Sequence, residues 1–152
     1  FDYLDIPVFG REEDAADQFA AYMLLSLGRQ ETPQLMAGIV YIYLNEAGIR
    51  DFSILKRKRL RIVDQRQYAD VHSLPLQRIY NTLCLAHGAN PVLFKEAVGR
   101  GALPADRAEG CAEEFQQVDK AFRMLIQPHI DLDVLKGMLA SDTLSVGRKV
   151  LP

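Results

Sequence analysis

The chain has 152 residues, 49% hydrophobic and 25% charged, with a formal net charge of −2 at pH 7, a balance that describes one folded domain able to bury about two thirds of its unfolded-chain surface. This excludes a disordered chain and a basic nucleic-acid-coating protein, and no apolar run is long enough to span a bilayer. Charge alone nominates no partner and leaves the oligomeric state open.

Apolar residues recur at helical spacing and no segment alternates as a half-buried strand, so a single all-α domain over residues 1–152 is predicted. The opening phrase "FDYLDIPVFG" lacks an initiator Met and starts mid-pattern, and the domain is read as trimmed at its N-terminus from a longer protein. The first predicted helix covers about Arg11 to Leu27 and stops at Gly28. The second takes Thr32 as N-cap and Pro33 as its first position and ends near Gly48. Between Ile49 and Val71 the periodicity weakens. The basic run Lys56, Arg57, Lys58, Arg59 and Arg61 has no interleaved aromatics and reads as a solvated face rather than a phosphate site.

Ser73 is the expected cap of a third helix that runs to Gly88, with Leu76, Ile79, Tyr80, Leu83 and Cys84 as its apolar stripe. A short helix in "VLFKEAVGRG" follows Pro91. Pro104 opens the longest predicted helix and Pro128 closes it, with Ala108, Cys111, Ala112, Phe115, Val118, Phe122, Leu125 and Ile126 on one face. "HIDLDVLKGMLASD" reads as a last short helix before a tail. Cys84 and Cys111 lie on inward seams, as two buried thiols or one disulfide, and are too few for a zinc cage.

The chemistry concentrates at the first helix, where Glu12, Glu13, Asp14 and Asp17 fall within six positions. Acids in a first turn offset the positive end of the helix dipole, and Glu12 and Asp14 need no further account. Asp17 lies beyond that turn and shares a face with Glu13, Ala16 and Ala20, its carboxylate about 6 Å along the axis from that of Glu13. The alanines would let another helix approach, leaving two half-buried acids that require partners. Arginines such as Arg78 or Arg107 are the structural candidates, and a metal ion with its histidine ligands is the functional one.

Glu13-Asp14-Ala15-Ala16-Asp17 resembles the E-x-x-A-D motif on the second helix of gluzincin-type zinc peptidases. With "FDYLDIPVFGREEDAADQFAAYMLL", "DVHSLPLQRIYNTLCLAHGANP" and "GALPADRAEGCAEEFQQVDKAF", the chain from Phe1 to about Ile130 is similar to a bacterial metallopeptidase family of unknown function. The resemblance implies a Zn²⁺ peptidase acting on a peptide or protein substrate, with Glu13 as the third protein ligand beside two histidines. Asp17 would orient one of those histidines by accepting its far ring N–H. His72 would steady the oxyanion of the tetrahedral intermediate, held by Asp70. His87 and His129, near helix ends, and the arginines Arg78 and Arg107 take structural readings.

The resemblance also implies a Cys84–Cys111 disulfide between the third and longest helices, and with it an exported protein. It departs from its pattern in one respect. The H-E-x-x-H motif that supplies two histidine ligands and a general-base glutamate does not occur in the 152 residues, so this stretch by itself is expected to be inert. The alternative is a non-catalytic helical binding domain on a peptidase-derived scaffold, with Glu13 and Asp17 paired to arginines.

Overall fold

A computed structural model describes residues 4–8, 10–26, 30–49 and 69–131. Among these residues every regular element is helical, in agreement with the all-α prediction: α1 Glu12–Ser26, α2 Thr32–Glu46, α3 Pro75–Ala89, α4 Lys95–Gly99, α5 Ala105–Ala108 and α6 Cys111–Leu125, followed by a 3₁₀ turn at Gln127–His129. The stop at Gly28, the basic run at 56–61 and the last predicted helix beyond Asp131 lie outside the described residues.

Helix ends follow local chemistry, with three corrections to the sequence reading. The N-cap of α2 is Glu31 with αR backbone and no side-chain cap bond. Thr32 therefore enters the first turn as a buried residue whose Oγ1 has no hydrogen-bond partner. Its other end agrees with expectation: Gly48 takes φ +66°, and N–H bonds from Ile49 to the Leu44 carbonyl and from Gly48 to the Asn45 carbonyl close a Schellman motif.

At α3 the chain enters through Leu74 and Pro75, and Gln77 Oε1 accepts the Leu74 N–H at 3.2 Å. Ser73 is thereby free for a tertiary bond. The predicted longest helix is interrupted at Glu109 and Gly110, the latter the poorest helix former of the stretch. Pro128, which lacks an N–H, falls within the 3₁₀ turn beyond α6.

α3 is the central helix, packed against α1, α2 and α6. On one side Ala21, Met36, Leu85, Ala86 and Phe94 form a buried cluster, and Val40, Tyr43, Leu44 and Ile79 another. On the other, Cys84, Leu103 and Cys111 pack together, with a disulfide joining Cys84 to Cys111 at a Cα–Cα distance of 5.0 Å. Arg107 closes over this bridge, its guanidinium paired with both carboxylate oxygens of Glu114 at 2.6 and 2.8 Å. One turn along α3, Gly88 lies so close to the Cys111 carbonyl that a Cβ there would collide with it.

Candidate metal-associated cleft

α1 begins with three acids in its first turn, which complement the dipole as expected. Its packed seam, however, runs through Asp14, Asp17 and Ala21, spaced three and four apart, which rotates the helix by about one position from the face predicted. Ala16 and Ala20 are accordingly exposed rather than covered by a neighbouring helix. Glu13 stands at the edge of this seam with its side chain 36% exposed.

Three sequence-predicted residues, Glu13, Asp70 and His72, meet here, while Asp17 does not line the cleft they form. The segment entering α3 brings His72 across α1, so that its Nε2 lies 3.4 Å from Glu13 Oε1. Asp70 grips the same histidine twice, with Oδ1 accepting the His72 backbone N–H and facing ring Nδ1, both at 2.9 Å. These bonds, the backbone one first, hold the Asp70 carboxyl below the usual carboxylate range. Because an ionised carboxylate only accepts, Nδ1 carries a proton and Nε2 is the edge left to face Glu13. At 3.4 Å the Glu13 contact is a loose one between partly exposed groups.

Asp17, one turn along, is held differently. Arg78 donates from Nε to Oδ2 at 2.6 Å and from Nη2 to Oδ1 at 2.8 Å, while the Tyr43 hydroxyl donates to Oδ1 at 2.6 Å. The guanidinium also stacks 4.1 Å above the Tyr43 ring and reaches Glu46 Oε2 from Nη1 at 3.3 Å. Burial, then the bond to Asp17, pushes the Tyr43 phenol far above its ordinary value, and the bonds to Asp17 push the Arg78 guanidinium up. Every arm of Arg78 is thus engaged, and the structural reading of this arginine holds. Arg107, on Glu114, is likewise engaged.

Together Glu13, Glu46, Asp70, His72, Ser73 and Arg78 line an open cleft of about 530 Å³, with Leu74 and Pro75 on one wall. His87, in the last turn of α3, and His129, in the 3₁₀ turn, do not line it.

Sequence reasoning missed Tyr43 and Glu46, and it assigned Ser73 and Asp14 only local capping and dipole roles. Instead the Ser73 hydroxyl donates to Asp14 Oδ2 at 2.8 Å and tethers the His72 segment to α1. Tyr43 shares the spacing of buried Met36, Val40 and Leu44 and is legible as core; that its hydroxyl serves Asp17 requires the tertiary fold.

A protein-family profile carrying the description "Putative metallopeptidase" matches residues 1–126. The chain belongs to this family. No curated protein and no solved structure matches it. Family membership suggests a metal, and Glu13, a carboxylate with no arginine partner among the described residues, is a donor of a type that zinc takes. It fits as one ligand of a centre. Among the described residues no three His, Cys, Asp or Glu side chains converge as a metal site, so further donors would come from outside them. The described residues contain no helix long and apolar enough to cross a membrane, which with the disulfide is compatible with an exported protein.

Proposed function

We propose that the complete protein is an exported, gluzincin-like zinc peptidase and that this cleft is the half of its active site built from α1 and the entry to α3. The observation that carries the reading is the meeting of Glu13 with a histidine whose opposite nitrogen is bound to Asp70. In this reading Glu13 is the carboxylate ligand of the zinc, and an H-E-x-x-H segment outside the 152 residues supplies two histidines and a glutamate base. Zinc, when bound, contributes a Lewis acid toward water and the scissile carbonyl.

The chain's own residues have distinct tasks. Asp70 fixes the orientation of His72, so that Nε2 faces the cleft, where an N–H at that nitrogen would donate to the developing oxyanion of a peptide or protein substrate. Asp17 serves as the acceptor that orients a ligand histidine. Without the external histidines and base, these 152 residues do not hydrolyse peptides in this reading.

The second reading, a non-catalytic binding domain, draws on the Asp17–Arg78 pair, which already satisfies most of that carboxylate; Glu13, by contrast, meets His72 rather than an arginine. One experiment separates them. In the full-length protein we expect about one zinc per chain, lost in Glu13→Ala. His72→Ala should retain zinc and lower kcat by about 10²-fold or more. Zinc retained by Glu13→Ala, or unchanged hydrolysis by His72→Ala, would remove the respective residue from the mechanism.

A further inference from the structure

We infer that the cleft continues past Ser73 into a second cavity and that the two form one groove for an extended peptide, with a basic side chain of that peptide seated in the second cavity. The inference takes its peptide ligand from the proposed function and goes beyond it to where the ligand lies and which side chain it carries. Every contact it invokes is made by a described residue, and none involves a metal.

The second cavity, about 450 Å³, is lined by Asp14, Gln77, Tyr80, Asn81, Asp106 and Arg107, and Ser73 lines both it and the cleft. Its volume lies within the range of ligand-binding clefts, about 300 to 1,000 Å³. Gln77, Tyr80 and Asn81 are spaced three and four apart on α3, which places them on one face of the helix. The same helix supplies Pro75 and Arg78 to the cleft. Between the two cavities Ser73 is pinned to Asp14 at 2.8 Å, so the junction is built from α1 and the entry to α3.

Among the described residues no hydrogen bond or ion pair occupies the Tyr80 hydroxyl, the Asn81 side-chain amide or the Asp106 carboxylate. The amide of Asn81 carries both a donor and an acceptor, the complement of a peptide unit. Charge selects the side chain. Arg107 is neutralised by its two-pronged bond to Glu114 and Arg78 by Asp17, while Arg11 reaches the Ser73 hydroxyl at 3.3 Å. The carboxylates of Glu13, Glu46 and Asp70 in the cleft and of Asp14 and Asp106 in the second cavity leave the groove negative. A concave surface of one sign draws in a ligand of the other and rejects its own. A lysine or arginine can lay its aliphatic stem on Tyr80 and Pro104 and hold its charged head beside Asp106.

The test is fluorescence anisotropy on the full-length protein with labelled Gly/Ser peptides that differ only in one central residue, Lys or Glu. Mass spectrometry of the same samples reads cleavage. The Lys peptide is expected to bind about 5-fold more tightly at low salt, a preference that narrows as salt is added. Asp106→Asn should reduce that preference to about 2-fold or less, and Asn81→Leu should weaken both peptides about 3-fold, each with the parent's circular dichroism. Glu31→Gln, an exposed acid outside both cavities, should leave the preference unchanged. Equal binding of the two peptides, no binding of either, or the parent's behaviour in Asp106→Asn or Asn81→Leu overturns the inference. A preference lost equally in Glu31→Gln would trace to net charge and also overturn it. Lys-selective binding that depends on Asp106, with both peptides left uncut, supports the groove while counting against the peptidase reading.

Discussion

Glu13 and Asp17 are the same kind of acid one helical turn apart, yet their surroundings divide them. Asp17 faces α3 and takes three strong donors, while Glu13, at the rim, meets an imidazole edge at 3.4 Å as its one ionic contact among the described residues. Four residues carry Asp17 a net rotation of about 40° and a rise of about 6 Å from Glu13, and which of the two then faces α3 is not conveyed by a sequence motif. Tyr43 gives this residue-scale network a pH signature. Its phenol stays protonated in the fold well above the ordinary value, so the unfolded chain ionises first; the contribution is intact below about pH 10 and is lost as pH rises from there. Urea unfolding across that range should show the parent losing stability more steeply than Tyr43→Phe. Parallel slopes would mean the phenol does not sense the fold.

At the scale of elements, the entry to α3 and the crossing of α3 over α6 decide where the cleft lies. Ser73 is free to bind Asp14 because it lies one position before the N-cap residue Leu74, whose own N–H is accepted by Gln77. The crossing depends on Gly88, which reads in sequence as a helix terminator but lies inside α3 against the Cys111 backbone. Replacing a helical glycine by alanine gains up to about 1 kcal/mol from propensity. At Gly88 the added Cβ meets a backbone carbonyl that cannot swing aside, and overpacking of that kind costs about 1 to 3 kcal/mol or more. Gly88→Ala should therefore lower the urea midpoint, whereas Gly38→Ala in α2, with nothing within 4 Å of the added Cβ, should raise it. A stabilised Gly88→Ala would show that the two helices do not approach so closely.

Across the whole molecule, α3 contributes Arg78 to the cleft and Cys84 to the disulfide, so one helix ties the site to the strongest restraint in the fold. The bridge spans a sequence separation of 27 and joins two residues with no exposed surface. Closing such a loop constrains the unfolded chain by about 3 to 4 kcal/mol. The double variant Cys84→Ala and Cys111→Ala should melt roughly 10 °C lower than the oxidised parent. Equal melting temperatures would leave the bridge without a role in stability.

Helical class, most helix positions, the Schellman end of α2 and the acidic start of α1 were legible from residues alone, because each depends on neighbours within one or two turns. The family motifs named Glu13, Asp70 and His72, which the fold brings into contact, and Asp17, which it places instead on Arg78 and Tyr43. The rotation of α1, which exposed Ala16 and Ala20, was decided by contacts such as Asp17 to Arg78 across 61 positions. The second task of Tyr43 was decided the same way, whereas the break before α6 falls at Gly110, a local signal. A helical repeat specifies which residues share a face; which face is buried depends on what the rest of the chain brings against it.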